Sequence, residues 1–136
     1  MTRDFDLSIT ICSWNTIRDL RLCLQSLREC QHEGNFEVLI IDNASRDGSP
    51  EMVEKEFPEF RLLRQSVNLG FTGGHNLAIE KRNGRHVALL NSDTIVHPGA
   101  IRTLAQFFEE NPQAGVIGPK LLNPDGSLQY SCRKFP

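Results

Sequence analysis

Long apolar runs are missing from this chain of 136 residues. The longest purely aliphatic stretches, such as residues 38–41 and 87–90, are far too short to cross a bilayer. A surplus of one charge is missing too. Lys and Arg number 15 against 17 Asp and Glu, a net charge of -2, which offers no basic field to nucleic acid and no charged tail to a membrane surface. Cysteine is sparse: Cys12, Cys23, Cys30 and Cys132 form no CxxC pair. That speaks against zinc and against a disulfide framework, and suits free thiols in a reducing compartment. Asp4 and Asp6 stand where a secretory leader needs a basic flank and an apolar run. The expected location is therefore the cytoplasm, or the cytoplasmic face of the membrane for a longer protein containing this chain.

Several catalytic signatures are absent as well. His75, His86 and His97 show neither HExxH nor any tight spacing, and no GxSxG or Cys–His motif supports covalent catalysis. The dinucleotide fingerprint GxGxxG should follow the first strand, where "SWNTIR" stands instead. Residues 43–54, "NASRDGSPEMVE", come close to a calcium-binding EF-hand loop. Ser45 replaces its third ligand, Pro50 breaks its short pairing, and the segment follows a strand rather than a helix.

What remains is the composition of a globular domain, 39% apolar and 24% charged, with strands and helices in regular alternation. "DLSITICS" (6–13) alternates with period two, and Ile17, Leu20, Leu24 and Leu27 then recur at helical spacing. "FEVLIID" (36–42) reads as a strand buried on both faces. Ser49-Pro50-Glu51 reads as N-cap, first-turn proline and acidic first turn of a helix to about Phe57. A weaker strand spans 60–65. Gly70, Gly73 and Gly74 are expected to form a turn before a helix that runs through Ile79 and stops at Asn83-Gly84. Strands are predicted at 86–91 and 114–120, with a helix from Pro98 to Asn111 between them. This order predicts an α/β fold, a mostly parallel sheet with helices on both faces. Residues 1–136 read as one domain, and the loop-like ending "SCRKFP" suggests a partial one.

Ligands of open α/β sheets bind beyond the carboxyl ends of the strands. Those ends carry Ser13-Trp14-Asn15, Asp42-Asn43-Ala44-Ser45, Asn68-Leu69-Gly70 and Asn91-Ser92-Asp93. Four polar exits on one edge point to a site, although loop capping accounts for such residues too. The sequence contains "LLN" twice. In "LLNSDTIV" (89–96) a buried strand ends at Asp93 and leads to a helix, whereas "LLNPDG" (121–126) has the dipeptides of a solvated turn around Asp125. Asp42 and Asp93 are the carboxylates of this edge, and Asp42 is a hydrogen-bond acceptor at the end of a buried strand.

In order and spacing, "SITICSWN", "EVLIIDNASRDGS", "NLGFTGGHNLAI", "LLNSDTIVHPGAI" and "AGVIGPKLLNPDGSLQYSCRKFP" resemble the inverting family 2 glycosyltransferases of GT-A fold. The bacterial branch that includes rhamnosyltransferases is the nearest in pattern. The resemblance implies the N-terminal, donor-binding portion of a GT-A Rossmann-like sandwich. It implies a UDP- or dTDP-sugar donor and a saccharide or lipid-linked acceptor, as in polysaccharide biosynthesis. Ser13, Trp14 and Asn15 would line the base, and Asp42 would bond the base or ribose. Asn43, Asn91 and Ser92 join the donor-binding set, and Asn68, Gly70, Gly74 and Asn76 belong to the stretch closing over the donor. Asp93, matching the last Asp of the DxD motif, would contact Mg²⁺ or Mn²⁺. The sequence departs from DxD in carrying the uncharged Asn91 at its first position. The family's general base lies downstream of the segments matched, so a nucleotide-binding fragment without transferase activity is the alternative. A nucleotidyltransferase would need a glycine- and arginine-rich, Lys-containing loop where "SWNTIRD" stands.

Overall fold

The structure, a computed structural model, describes residues 4–130. The elements are β1 (Phe5–Ser13), α1 (Ile17–Glu29), a 3-10 turn (Gln31–Glu33), β2 (Phe36–Asp42), α2 (Ser49–Glu56), β3 (Arg61–Arg64), α3 (Gly70–Lys81), β4 (Gly84–Asn91) and α4 (Ala100–Glu110). The four strands form one parallel sheet in the order β3-β2-β1-β4. Parallel pairing needs a crossover between successive strands, and the helices supply it.

Period-two alternation sends the two sets of β1 side chains to different layers. Leu7, Ile9 and Ile11 join Val38, Ile40 and Leu62 in a core closed by Leu20, Cys23, Leu24 and Leu27 of α1 and Met52 and Val53 of α2. Each fully buried aliphatic side chain there contributes about 1.5–3 kcal/mol. On the other face α3 packs against Thr10 and Cys12 of β1 and Ile41 of β2. The expected α/β sheet with helices on both faces is what forms.

The register aligns the carboxyl ends of the strands. Ser13 is opposite Asp42, Asp42 opposite Arg64, and Cys12 opposite Asn91, so all four strands end together. The chain runs from β1 to β2 to β3 on one side and returns to place β4 on the other. Such a reversal, here between β1 and β4, is where open α/β sheets place their ligands.

Four local expectations are corrected. Residues 114–120 form no strand: Val116 is 90% exposed, and the segment lies beside β4 and α4 without pairing. Pro119 lacks an N–H to donate, and an apolar run becomes a strand only where a ladder partner is present. An isolated antiparallel bridge, Leu122 with Leu128, follows. Gly70, Gly73 and Gly74 lie inside α3 rather than before it, because Gly74 marks the closest approach of helix to sheet. A Cβ there would stand 2.5 Å from Cys12 Sγ. Ser49 is the first residue of α2 rather than its N-cap, a position held by Gly48. Gly84 opens β4, two residues earlier than expected, pressed against β1.

Candidate functional site

The first two loops of the edge are locked together by their own polar groups. Asn15, in the left-handed region at φ 54° that Asn tolerates, donates its backbone N–H to Ser45 Oγ at 2.9 Å. Its Oδ1 accepts the Arg46 N–H at 2.8 Å. Asp47 caps two helices at once. Its Oδ2 accepts the Ile17 N–H of α1 at 2.8 Å, and its Oδ1 accepts the Ser49 N–H of α2 at 3.0 Å and the Ser49 hydroxyl. Burial alone would raise the Asp47 pKa, but the bonds from Ser49 and Ile17 outweigh it and hold the carboxyl below its ordinary value.

The other loops are tied on similarly. Ser13 Oγ and Thr16 Oγ1 are 2.9 Å apart, and Thr16 Oγ1 donates to Ser92 Oγ at 3.2 Å, a hydroxyl chain from the end of β1 to the end of β4. Asn43 is buried: its Nδ2 donates to Gly70 O at 3.3 Å and its Oδ1 accepts the Leu69 N–H at 3.4 Å. Asn68 Oδ1 accepts the Gly70 N–H at 2.7 Å and starts α3. Ser13, Asn15, Asn43, Asn68 and Ser92 are thus joined to the loop scaffold through side-chain groups. Asn76 is exposed on α3.

Groups left with free capacity stand out against that frame. Asp42 is 3% exposed. Its Oδ2 accepts the Ser45 N–H at 3.2 Å, while its buried Oδ1 has no partner. A buried acceptor left unmatched costs about 1–3 kcal/mol, so this oxygen calls for a donor. Trp14 is 56% exposed and does not bury itself on α1. Asn91 and Asp93 are exposed, and among the described residues no hydrogen bond or ion pair engages the Asp93 carboxylate. Among the described residues no three His, Cys, Asp or Glu side chains gather as metal ligands. The residues present fit a hard cation shared with a ligand, in which Asp93 supplies one oxygen and phosphate and water the rest. They do not fit an ion held by protein alone. Asp125, by contrast, spends its carboxylate on Ser127, accepting its N–H at 2.9 Å and its hydroxyl at 2.6 Å.

Sequence reasoning missed Thr16, Asp47 and His75. The first two carry a weak signal, hydroxyl or carboxylate just before a helix. His75 carries none, since its partner lies 65 residues away. It is buried on α3, with Nδ1 2.9 Å from Thr10 Oγ1, and Thr10 donates its own proton to Ala88 O. Nδ1 therefore carries the hydrogen, and Nε2 is a buried lone pair without a partner. Burial lowers the His75 pKa, so the neutral ring is the folded form. The unfolded chain takes up this proton first as pH falls below about 6.5, so the folded state loses stability there. Thermal denaturation from pH 7.5 to 5.5 is expected to show a smaller acid-induced drop in midpoint for His75→Gln than for the wild type.

Comparison with known proteins bears on the family and the fold. The family model described as glycosyl transferase family 2 matches residues 8–134. An N-acetylglucosaminyl-diphospho-decaprenol L-rhamnosyltransferase of Mycobacterium tuberculosis is 33% identical over 115 residues, covering 76% of this chain and 38% of that protein. The crystal structure of S. aureus TarS 1-349 in complex with UDP-GlcNAc superposes with a TM-score of 0.70 at 23% identity, over 78% of this chain and 32% of that one. A mannosyltransferase from Pyrobaculum calidifontis in complex with GDP-Man and Mn²⁺ gives a TM-score of 0.69 at 18% identity, over 76% and 32%. At such identities the superpositions speak for the fold, and the chain spans about a third of the length of these proteins. With nearly its whole length matched by the family model, this chain belongs to glycosyl transferase family 2.

Proposed function

We propose that residues 1–136 are the donor-binding part of an inverting glycosyltransferase that takes its sugar from a UDP- or dTDP-sugar. The observation that carries this reading is the unmatched, buried Oδ1 of Asp42 on the same sheet edge as the exposed carboxylate of Asp93. Asp42 accepts a hydrogen bond from the base or ribose, and Trp14 offers an apolar ring beside it. Ser13, Asn15, Asn43 and Ser92 hold the loops at the spacing a nucleotide needs. The segment of Asn68, Gly70, Gly74 and Asn76 covers the donor, with Asn91 near ribose or phosphate. A Mg²⁺ or Mn²⁺ ion bound through Asp93 and the diphosphate would neutralise charge on the leaving group. No carboxylate of the described residues is assigned the general base that inversion requires.

The likeness to an N-acetylglucosaminyl-diphospho-decaprenol L-rhamnosyltransferase supports a lipid-linked or saccharide acceptor, which would place the full-length protein at the cytoplasmic face of the membrane. Among the described residues no helix is long and apolar enough to cross a membrane itself. The chain's short span relative to its relatives favours a second reading, in which it binds the nucleotide and transfers nothing.

Titration of UDP and dTDP with and without Mn²⁺, followed by an assay of donor hydrolysis, tests both readings. The expected result is binding of one nucleotide, strengthened by Mn²⁺. Binding with no turnover of any donor sugar selects the second reading, and failure of both nucleotides to bind removes the two together.

A further inference from the structure

The segment that carries Asp93, residues 91–99, contains no regular structure after β4 ends at Asn91. Several of its backbone polar groups nevertheless find partners in one line of side chains, beside backbone bonds such as that from the Thr94 N–H to Asn91 O at 3.3 Å. Cys23 Sγ donates to Asn91 O at 3.8 Å. Ser26 Oγ accepts the Val96 N–H at 3.0 Å while donating to Cys23 O at 2.7 Å. Cys30 Sγ lies 4.0 Å from His97 O. Glu33 accepts the Gly99 N–H, and the Arg102 N–H also points to it. Positions 23, 26, 30 and 33 recur at spacings of three and four, so they form one stripe along α1 that continues into the 3-10 turn.

All four are buried, in a stripe where helix packing would ordinarily call for aliphatics. Leu20, Leu24 and Leu27 do occupy the neighbouring core positions. A polar side chain in such a stripe costs stability unless it is matched. Here each meets the backbone of a single irregular segment, Glu33 through Oε1, while its buried Oε2 has no partner among the described residues. Glu33 also sits where the N-terminal N–H groups of α4 favour a negative charge. Its bond from Gly99 helps hold the carboxyl below its ordinary value, so it is ionised in the folded protein. Sulfur is a weak partner, which leaves Ser26 and Glu33 as the strong rungs. With its backbone fixed from the α1 side, the segment keeps the side chains of Asn91 and Asp93 exposed.

We propose that Ser26 and Glu33 are positioning residues for the metal-bound donor: they act through the backbone of residues 91–99 to hold the Asp93 carboxylate where cation and diphosphate meet. The proposal rests on the reading of Asp93 as the metal contact and adds what fixes it in place. Mobility of Asp93 then weakens only binding that passes through the metal.

The readout is the ratio of nucleotide affinity in Mn²⁺ to that in EDTA, measured by calorimetric titration with whichever of UDP and dTDP the wild-type chain holds more tightly. Ser26→Ala is expected to lower this ratio about three- to ten-fold, leaving the EDTA affinity within about two-fold of wild type. Ser26→Thr, which keeps the hydroxyl, restores it. Glu33→Gln carries the same expectation and keeps the test open should the alanine variant fail to fold. A merely structural role predicts equal losses with and without metal. That result, or an unchanged ratio in the folded variants, overturns the proposal. Asp93→Ala tested in parallel separates the two levels. If it keeps the wild-type ratio, the reading of Asp93 falls and the proposal with it; if only the Ser26 and Glu33 variants keep that ratio, the positioning role falls alone.

Discussion

Gly84→Ala is expected to destabilise the chain by about 3 kcal/mol or more, at the upper end of what overpacking costs. The added Cβ would stand 2.4 Å from Ser8 N and 2.6 Å from Leu7 C, both backbone atoms of β1. A flexible side chain could swing aside, but a strand paired on both edges cannot. β1 is held by β2 on one side and β4 on the other. The Gly84 N–H also donates to Ser8 Oγ at 2.8 Å, and Ser8, fully buried, donates in turn to Glu37. Separating β4 from β1 would strain that chain as well. Against a domain stability of about 5–15 kcal/mol this is a large fraction, and the melting midpoint should fall by roughly 10 °C. Gly84 pairs with Phe5 at the amino ends of the strands, away from the binding edge, so nucleotide affinity of the folded fraction should be unchanged. Urea denaturation checks the first statement; a loss below about 1 kcal/mol would mean that β4 can shift on β1 at little cost.

Asp93→Ala is expected to remove most of the Mn²⁺-dependent gain in nucleotide affinity. Truncating one member of a matched charge contact costs about 2–4 kcal/mol, roughly 30- to 1000-fold. The loss should be large because no group of three ligating side chains stands nearby to replace it among the described residues. Binding in EDTA, which depends on Asp42 and the locked loops, should hardly change. Asp125→Ala should leave both affinities as they are. The Ser127 hydroxyl and N–H already occupy that carboxylate and hold its pKa below the ordinary value, as befits a turn.

The sheet and its polar carboxyl edge were legible because a parallel strand reads as an aliphatic run that turns polar on leaving the sheet. Ser13, Asp42 and Asn91 are each the last residue of a strand, as their letters suggest. Pairing was less legible. "AGVIGPK" has strand-like apolar content, yet strand identity belongs to a pair, and here the segment has no ladder partner. The glycines of α3 look like a turn when read along the chain and become contact residues only when Cys12, some sixty positions earlier, is brought beneath Gly74. Long range also hid the scaffold of the site. Thr16 meets Ser92 across 76 residues, and Asp47 meets Ile17 across 30. No local pattern encodes that Asn15 and Asn43 reach neighbouring loops, nor that the stripe at 23, 26, 30 and 33 touches the backbone beyond β4.

The central claim is that the carboxyl edge of the sheet, with Asp93 at the cation, is the donor site. Paramagnetic broadening of backbone amide resonances by Mn²⁺ in the presence of UDP or dTDP tests this most directly, since broadening falls steeply with distance from the ion. The account predicts selective loss of signal around residues 91–94, weaker loss at 13–15 and 42–45, and no such loss in Asp93→Ala. Broadening centred on residues 123–127, unaffected in Asp93→Ala and abolished in Asp125→Ala, would contradict it.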